Sequence, residues 1–239
     1  RRIEKMKELQ EAGGHALQMD ISMEEDIKKA LRTIEENHGG VDILINNAGY
    51  GSYGSVEETT IEDARYQFEV NLFGLARLTQ LILPGMRQKR SGKIINISSM
   101  GGRIYTPLGA WYHASKHALE GWSDCLRLEL KPFNIDVVVI QPGIIRTEFG
   151  DVLTGPLLER SGEGPYSDLA QRLTKSVRDS YDKGEGSSPD VVVRAIRKAA
   201  GSERPRTRYA IGQMAKPLIY IRKFLPDHWF DKAVMQAVK

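Results

Sequence analysis

At 239 residues, with a formal net charge of +3, 41% apolar and 27% charged side chains, the chain has the size and make-up of one soluble α/β domain. No run of Lys or Arg marks a nucleic-acid footprint, no apolar stretch reaches the roughly 18 residues of a membrane span, and no signal peptide opens the chain. A single cysteine, Cys125, excludes an internal disulfide, and the five histidines show no metal-ligand spacing, so a reducing, cytoplasmic setting without a metal site is expected.

Residues 1–11 read as the middle of a helix, with Ile3, Met6 and Leu9 at helical spacing and Gly13 and Gly14 as its stop. The lack of a start methionine or an N-cap implies that a preceding segment is absent from the chain. Residues 15–19 read as a short strand ending at Asp20, and Ser22 as the cap of a helix over residues 23–37 with Glu24, Glu25 and Asp26 in its first turn. Residues 41–45 form an apolar strand that breaks at Asn46-Asn47-Ala48-Gly49. Thr59 and Thr60, with Glu62 and Asp63 after them, open a helix to about residue 88 that bends near Pro84. The β-branched run of residues 94–97 is a buried strand ending at Ser98-Ser99, followed by a helix to about residue 130. Residues 135–140 form another strand, ending at Pro142-Gly143. Residues 144–185 read as a long, mobile insert, Pro189 as the start of a helix to Ala200, and residues 209–211 as a last strand. The tail, residues 213–239, carries a basic and apolar helical segment at about residues 218–225, then Pro226 and a short final helix.

Strands alternating with helices predict a single domain built on a doubly wound parallel sheet. In such sheets ligands bind beyond the carboxyl ends of the strands. Asp20, the residues 46–49, Ser98-Ser99 and Pro142-Gly143 all fall at strand ends and so point at one crevice. Tyr112 and Lys116 lie four residues apart on one helix face, where an ammonium beside a phenol is expected to lower the phenol's pKa. A strand-end serine, that tyrosine and its lysine form a set able to move a proton on and off a carbonyl/alcohol pair.

In this order, Asn46-Asn47-Ala48-Gly49, Asn71 within Val70-Asn71-Leu72-Phe73-Gly74, Ser99, Tyr112-His-Ala-Ser-Lys116 and Pro142-Gly143-Ile-Ile-Arg-Thr147 resemble the short-chain dehydrogenase/reductase family, in its steroid/retinol branch. The family places its serine thirteen residues before the tyrosine, which selects Ser99 over Ser98. The resemblance implies a Rossmann-like fold, here without the first βαβ unit and its glycine-rich phosphate turn. Gly49-Tyr-Gly51-Ser-Tyr-Gly54 matches the dinucleotide fingerprint, but no helix opens at Gly54 and Glu57 and Glu58 follow, so it reads instead as a flexible wall of the substrate site.

By resemblance, Tyr112 is the general acid or base, Lys116 tunes it and holds the nicotinamide ribose, Ser99 donates to the substrate oxygen, and Asn71 holds a water in a proton path. The same resemblance places Asn46, Ala48 and Gly49 along the cofactor, Asp20 and Ile21 at its adenine, and Pro142, Gly143, Ile145 and Thr147 at its nicotinamide and phosphates. Arg1 and Arg2 fall where basic residues meet a 2′-phosphate, which favours NADP(H) over NAD(H). Tyr50, Tyr53 and Phe149 are expected to face substrate. Phe149, Val152, Leu153, Leu157, Leu158 and Tyr166 suit a lid over an apolar ketone, aldehyde or alcohol. His113 and His117 read as surface or interface residues. Trp122, Leu126 and Leu130 suit either core or the surface of a homodimer or homotetramer. The tail is expected to pack as a lid or subunit contact, with an anionic membrane surface as its other reading. A non-catalytic dinucleotide sensor and an isomerase or epimerase of the same fold are the alternative functions. The first tends to lose the tyrosine or lysine, and the second is longer behind Thr147.

Overall fold

In the computed structural model, which describes residues 6–238, four strands pair in parallel in the order β1-β2-β3-β4: Ile43–Asn46, Gly92–Ile97, Ile135–Pro142 and Arg208–Ile211. Asn46 lies opposite Asn96 and Ile97 opposite Ile140, so β1, β2 and β3 all end at one edge. Successive residues of the buried strands serve opposite faces. Leu44, Ile94 and Val137 pack beneath helices α2 (Glu24–His38), α4 (Gly74–Lys89) and α5 (Ala110–Leu130), while Ile95, Val138 and Ile140 meet Ala195 and Ala199 of α8 (Asp190–Gly201). Burial of each such aliphatic side chain contributes roughly 1.5–3 kcal/mol. Helices therefore cover both faces, as the strand–helix alternation predicts. At β1 the second face is open, with Ile43 and Ile45 each 43% exposed.

Several boundaries differ from the sequence reading. Residues 15–19 are not a strand, because β1 bonds only to β2 and no strand among the described residues lies where they could pair. Ser22 does not cap α2. Its hydroxyl and N–H both donate to Asp20 Oδ1, and the helix begins from Met23 without a side-chain cap. Thr60 does cap α3 (Ile61–Phe68), accepting from the Asp63 N–H. The long helix after it breaks at a π-helical turn, Glu69–Phe73, rather than at Pro84, which sits inside α4. Residues 144–185 are largely helical: α6 (Phe149–Ser161) and α7 (Ser167–Asp182) pack Leu157, Ala170 and Leu173 against Tyr53 and Tyr112. The tail folds as α9 (Ala215–Phe224) and α10 (Asp227–Ala237). A short helix, α1 (Lys7–Glu11), leads the described residues.

Gly74 sets how closely α4 approaches the loop before α2. A Cβ there would stand 2.3 Å from the Ile21 carbonyl oxygen, a backbone atom that has no rotamer to yield. Gly74→Ala is expected to destabilise the fold by about 1–3 kcal/mol, as overpacking of a filled site does. Chemical denaturation checks this, and unchanged stability would show that the loop yields freely.

Candidate active site

The carboxyl edge of the sheet opens into a cavity of about 630 Å³ that touches Gly49, Ser99, Tyr112, Lys116, Gly143 and Phe149. Tyr112 enters it from the first turn of α5, with its ring beside Tyr53 and Phe149, each 5.8 Å between centroids. The Ser99 hydroxyl hydrogen-bonds the Tyr112 phenol, and Ser99 Oγ itself accepts the Gly101 N–H at 3.0 Å. The expected lowering of the phenol does not occur: burial pushes Tyr112 above the ordinary tyrosine pKa, opposed only by the Ser99 hydrogen bond. Lys116 does not offset this, because its Nζ donates to the Ile97 carbonyl at 3.0 Å. Burial also drives Lys116 down, from 10.5 to about 8, with the charge of Glu120 opposing the fall.

Asn71 sits in the π-helical turn and is fully buried. Its Oδ1 accepts the Tyr50 N–H at 3.1 Å, and its Nδ2 donates to the Tyr50 carbonyl and to Ser115 Oγ, both at 3.0 Å. The loop after β1 is thereby tied to α5, beside Lys116. Gly49 passes so near that a Cβ would lie 3.2 Å from Asn71 Oδ1 and 3.5 Å from Lys116 Nζ.

The loop expected to be flexible is clamped. Ser52 N–H donates to Gln67 Oε1 at 2.7 Å, Gln67 Nε2 to the Tyr50 carbonyl, Gly54 N–H to the Leu108 carbonyl, and Arg160 to Ser52 Oγ and the Tyr53 carbonyl. Its glycines meet side chains, Gly51 against Phe149 and Gly54 against Thr59 and Arg160, which leaves no cradle for a phosphate.

Asn46 points away from the cavity. Its Nδ2 donates to Asn96 Oδ1 at 2.8 Å and Thr79 Oγ1 at 3.2 Å, inside the core between β1, β2 and α4. Asp20, Ile21, Ala48 and Gly49 line a second crevice of about 450 Å³ that shares Gly49 and Tyr50 with the first. Pro142, Gly143, Ile145 and Thr147 line the main cavity, with the Thr147 hydroxyl accepting the Phe149 N–H at 3.3 Å. Tyr50 and Tyr53 line it too. Arg1 and Arg2 lie outside the described residues.

His113 is not a surface residue. It is buried, donating from Nδ1 to the Gly101 carbonyl at 2.9 Å and accepting at Nε2 from the Thr106 N–H at 3.1 Å. The Tyr53 hydroxyl lies 3.3 Å from the same Nε2. The backbone donor at Nε2 fixes the neutral tautomer, and burial lowers the ring to about 4. Position on a helical wheel misled here because the buried arc of α5 is wide, reaching from Ser115 through Tyr112 and Lys116 to His113 and Glu120. Glu120, which carries no sequence signal of its role, accepts from Gln141 and Arg208, both at 3.0 Å, and pairs with Arg103 at 3.2 Å.

The short chain dehydrogenase family model matches residues 1–154. A probable short-chain type dehydrogenase/reductase of Helicobacter pylori, VdlC, is 37% identical over 214 residues, covering 89% of this chain and 77% of that one. A 3-ketodihydrosphingosine reductase of Bacteroides thetaiotaomicron is 36% identical over 220 residues, 91% of this chain and 80% of that one. The crystal structure of a short-chain dehydrogenase from Streptomyces avermitilis superposes with a TM-score of 0.80 at 33% identity, covering 100% of this chain and 88% of that chain. A half-buried serine beside a buried tyrosine–lysine pair at the carboxyl edge of a parallel sheet thus stands in a chain that belongs to the short-chain dehydrogenase/reductase family of NAD(P)-dependent oxidoreductases.

Proposed function

We propose that this chain transfers a hydride between a nicotinamide dinucleotide, NADPH by preference, and a carbonyl/alcohol pair on an apolar small molecule. The observation that carries this reading is the convergence of Ser99, Tyr112 and Lys116 on one end of a largely apolar cavity. The further walls, Ile104, Leu153, Val177 and Ile196, suit an apolar substrate. A relative named for 3-ketodihydrosphingosine supports a ketone.

The crevice fits a dinucleotide. It runs from Asp20 and Ile21 past Ala48 and the bare backbone of Gly49 to Lys116, and on to Pro142, Gly143, Ile145 and Thr147. A side chain at position 49 would intrude on it, and Lys116 is a buried cation whose described hydrogen bond uses one of three donors. Asp20 and Ile21 would hold the adenine end, and Lys116 with Thr147 the nicotinamide end. Asn46 would serve through its backbone alone, since its amide is spent in the core. The preference for NADP(H) rests on Arg1 and Arg2. The bound dinucleotide supplies or accepts the hydride.

The chain's own residues handle the proton. A substrate oxygen placed between Ser99 and Tyr112 accepts from both hydroxyls. In reduction Tyr112 gives it a proton, and its raised pKa keeps the phenol protonated at neutral pH, ready for that role. Lys116, at about 8, is poised to return a proton near neutrality. Asn71 keeps Gly49 and α5 in register and, in this reading, holds a water in the relay. Helices α6 and α7 close the site and exclude bulk water. The setting we propose is cytoplasmic, with two or four copies meeting through α4 and α5. No helix among the described residues is long and apolar enough to cross a membrane.

Tyr112→Phe is expected to lower kcat by about 10²–10⁴ with a long-chain ketone or retinal and NADPH, followed by cofactor absorbance. Unchanged turnover would sink the assignment, and a strong preference for NADH would remove the role of Arg1 and Arg2.

Lys116 also gives a stability signature. Its folded pKa lies below its unfolded one, so the folded state binds fewer protons between about pH 8 and 10.5, and this group's contribution to stability rises with pH across that window. Below pH 8 its full destabilisation, on the order of 3 kcal/mol, is present. Lys116→Met should flatten the rise in chemical-denaturation stability across the window. An unaltered slope would mean that Lys116 is not desolvated.

A further inference from the structure

Helix α9 is apolar on two faces. Ala215, Leu218 and Ile219 turn inward, while Pro217, Tyr220, Ile221 and Phe224 recur at i, i+3, i+4 and i+7 on the other side. All four of these are exposed, Tyr220 at 60% and Phe224 at 73%, and Trp229 at the start of α10 is 53% exposed. The tail itself is well anchored. Phe230 is buried with its edge on Tyr105, 5.1 Å between centroids, and the Arg222 guanidinium lies over both rings. Arg222 pairs with Asp227 at 2.8 Å, Tyr105 donates to Asp231 at 2.9 Å, and Ser176 of α7 donates to the Ala237 carbonyl. The fold therefore holds these apolar side chains toward water.

The charges beside them are one-sided. Lys216 and Lys223 lie together on one flank of the stripe, and Lys223 Nζ stands 5.3 Å from the Phe224 ring. Lys232 Nζ stands 4.9 Å from the Trp229 ring. The tail's two aspartates are engaged by Arg222 and Tyr105, whereas no carboxylate among the described residues pairs with these lysines.

We propose that this stripe seats the protein on an anionic membrane surface, with Tyr220, Ile221, Phe224 and Trp229 at the headgroup–acyl boundary. Lys216, Lys223 and Lys232 then meet the lipid phosphates. Aromatic and branched apolar side chains with lysines at their margin are the composition that such a boundary takes up, and lysine stems extend along the apolar layer while their charges stay with the headgroups. A second copy laid antiparallel on the same stripe would gather four lysines, Lys216 and Lys223 of each, along one edge, which disfavours that occupant.

The test uses the full chain and does not depend on turnover. Flotation is expected with vesicles of equal parts phosphatidylglycerol and phosphatidylcholine and not with phosphatidylcholine alone, and added salt should reverse it. Tyr220→Ser combined with Phe224→Ser should cut the bound fraction about tenfold or more. Both side chains face water, so the far-ultraviolet circular dichroism should be unchanged. A vesicle-induced blue shift of tryptophan emission should vanish in Trp229→Phe. Failure of the wild-type chain to float, equal flotation with neutral vesicles, or undiminished flotation of the double variant would each overturn the proposal. So would a concentration-dependent dimer, formed without vesicles and abolished by the double variant, because it would assign the stripe to a second copy.

Discussion

The site depends on one buried amide. Asn71 joins the loop after β1 to α5 through hydrogen bonds to both backbone groups of Tyr50 and to Ser115 Oγ. An asparagine is suited to this because it offers an acceptor and two donors from one plane, and a buried amide left unmet is costly. The π-helical turn supplies the position. An extra residue in the helical register brings Asn71 inward at the junction of α3 and α4, beneath the loop it must hold. Gly49 then follows as a requirement, since a Cβ would crowd both Asn71 Oδ1 and Lys116 Nζ.

With the loop and α5 fixed, electrostatics is governed by the exclusion of water. Tyr53, Phe149 and Leu153 surround Tyr112, so the phenol resists ionisation. The same desolvation pushes Lys116 the opposite way, toward neutrality. On a helical wheel the ammonium stands beside the phenol and would be expected to acidify it. The phenol is not acidified, because burial acts on each group more strongly than they act on one another and because the ammonium is turned to the Ile97 carbonyl. In the function proposed above, the protonated phenol is the form that gives a proton to a substrate oxygen. His113 adds to this pre-organisation by bridging the Gly101 turn, which positions Ser99, to Thr106 and Tyr53 on the cavity wall.

The parts legible in the sequence were those governed by local rules. Parallel strands buried on both faces must be apolar runs, and they must stop where the chain turns over the sheet edge, so Ser98-Ser99 and Pro142-Gly143 announced the crevice. The parts not legible were those decided by neighbours distant in sequence. Residues 15–19 read as a strand leading to Asp20, yet a strand exists only where a partner lies alongside. Asn46 stands at a strand end like a ligand-facing residue, but the two-residue period of β1 turns its side chain to the core side, where Asn96 and Thr79 satisfy it. Residues 144–185 are rich in glycine and charge, and they become ordered helices because Leu157, Ala170 and Leu173 find the aromatic roof of Tyr53 and Tyr112. Position 113 gave no hydrophobic signal, since its burial comes from the width of the α5 interface.

The location of the tail connects the two apolar features of the molecule. Helix α7 contributes Val177 and Tyr181 to the cavity wall, and Ser176 beside them donates to the Ala237 carbonyl of α10. Val238, just past α10, packs in the same cluster as Tyr112, Leu153 and Leu157. The segment that follows the exposed stripe therefore packs in the same apolar cluster as the proposed catalytic tyrosine. A protein seated by that stripe would hold the α7 side of its cavity near the lipid. An apolar substrate partitioned into that lipid would then have a short path to Tyr112 through little water, and the energetic cost of dispersing it in solution would be avoided.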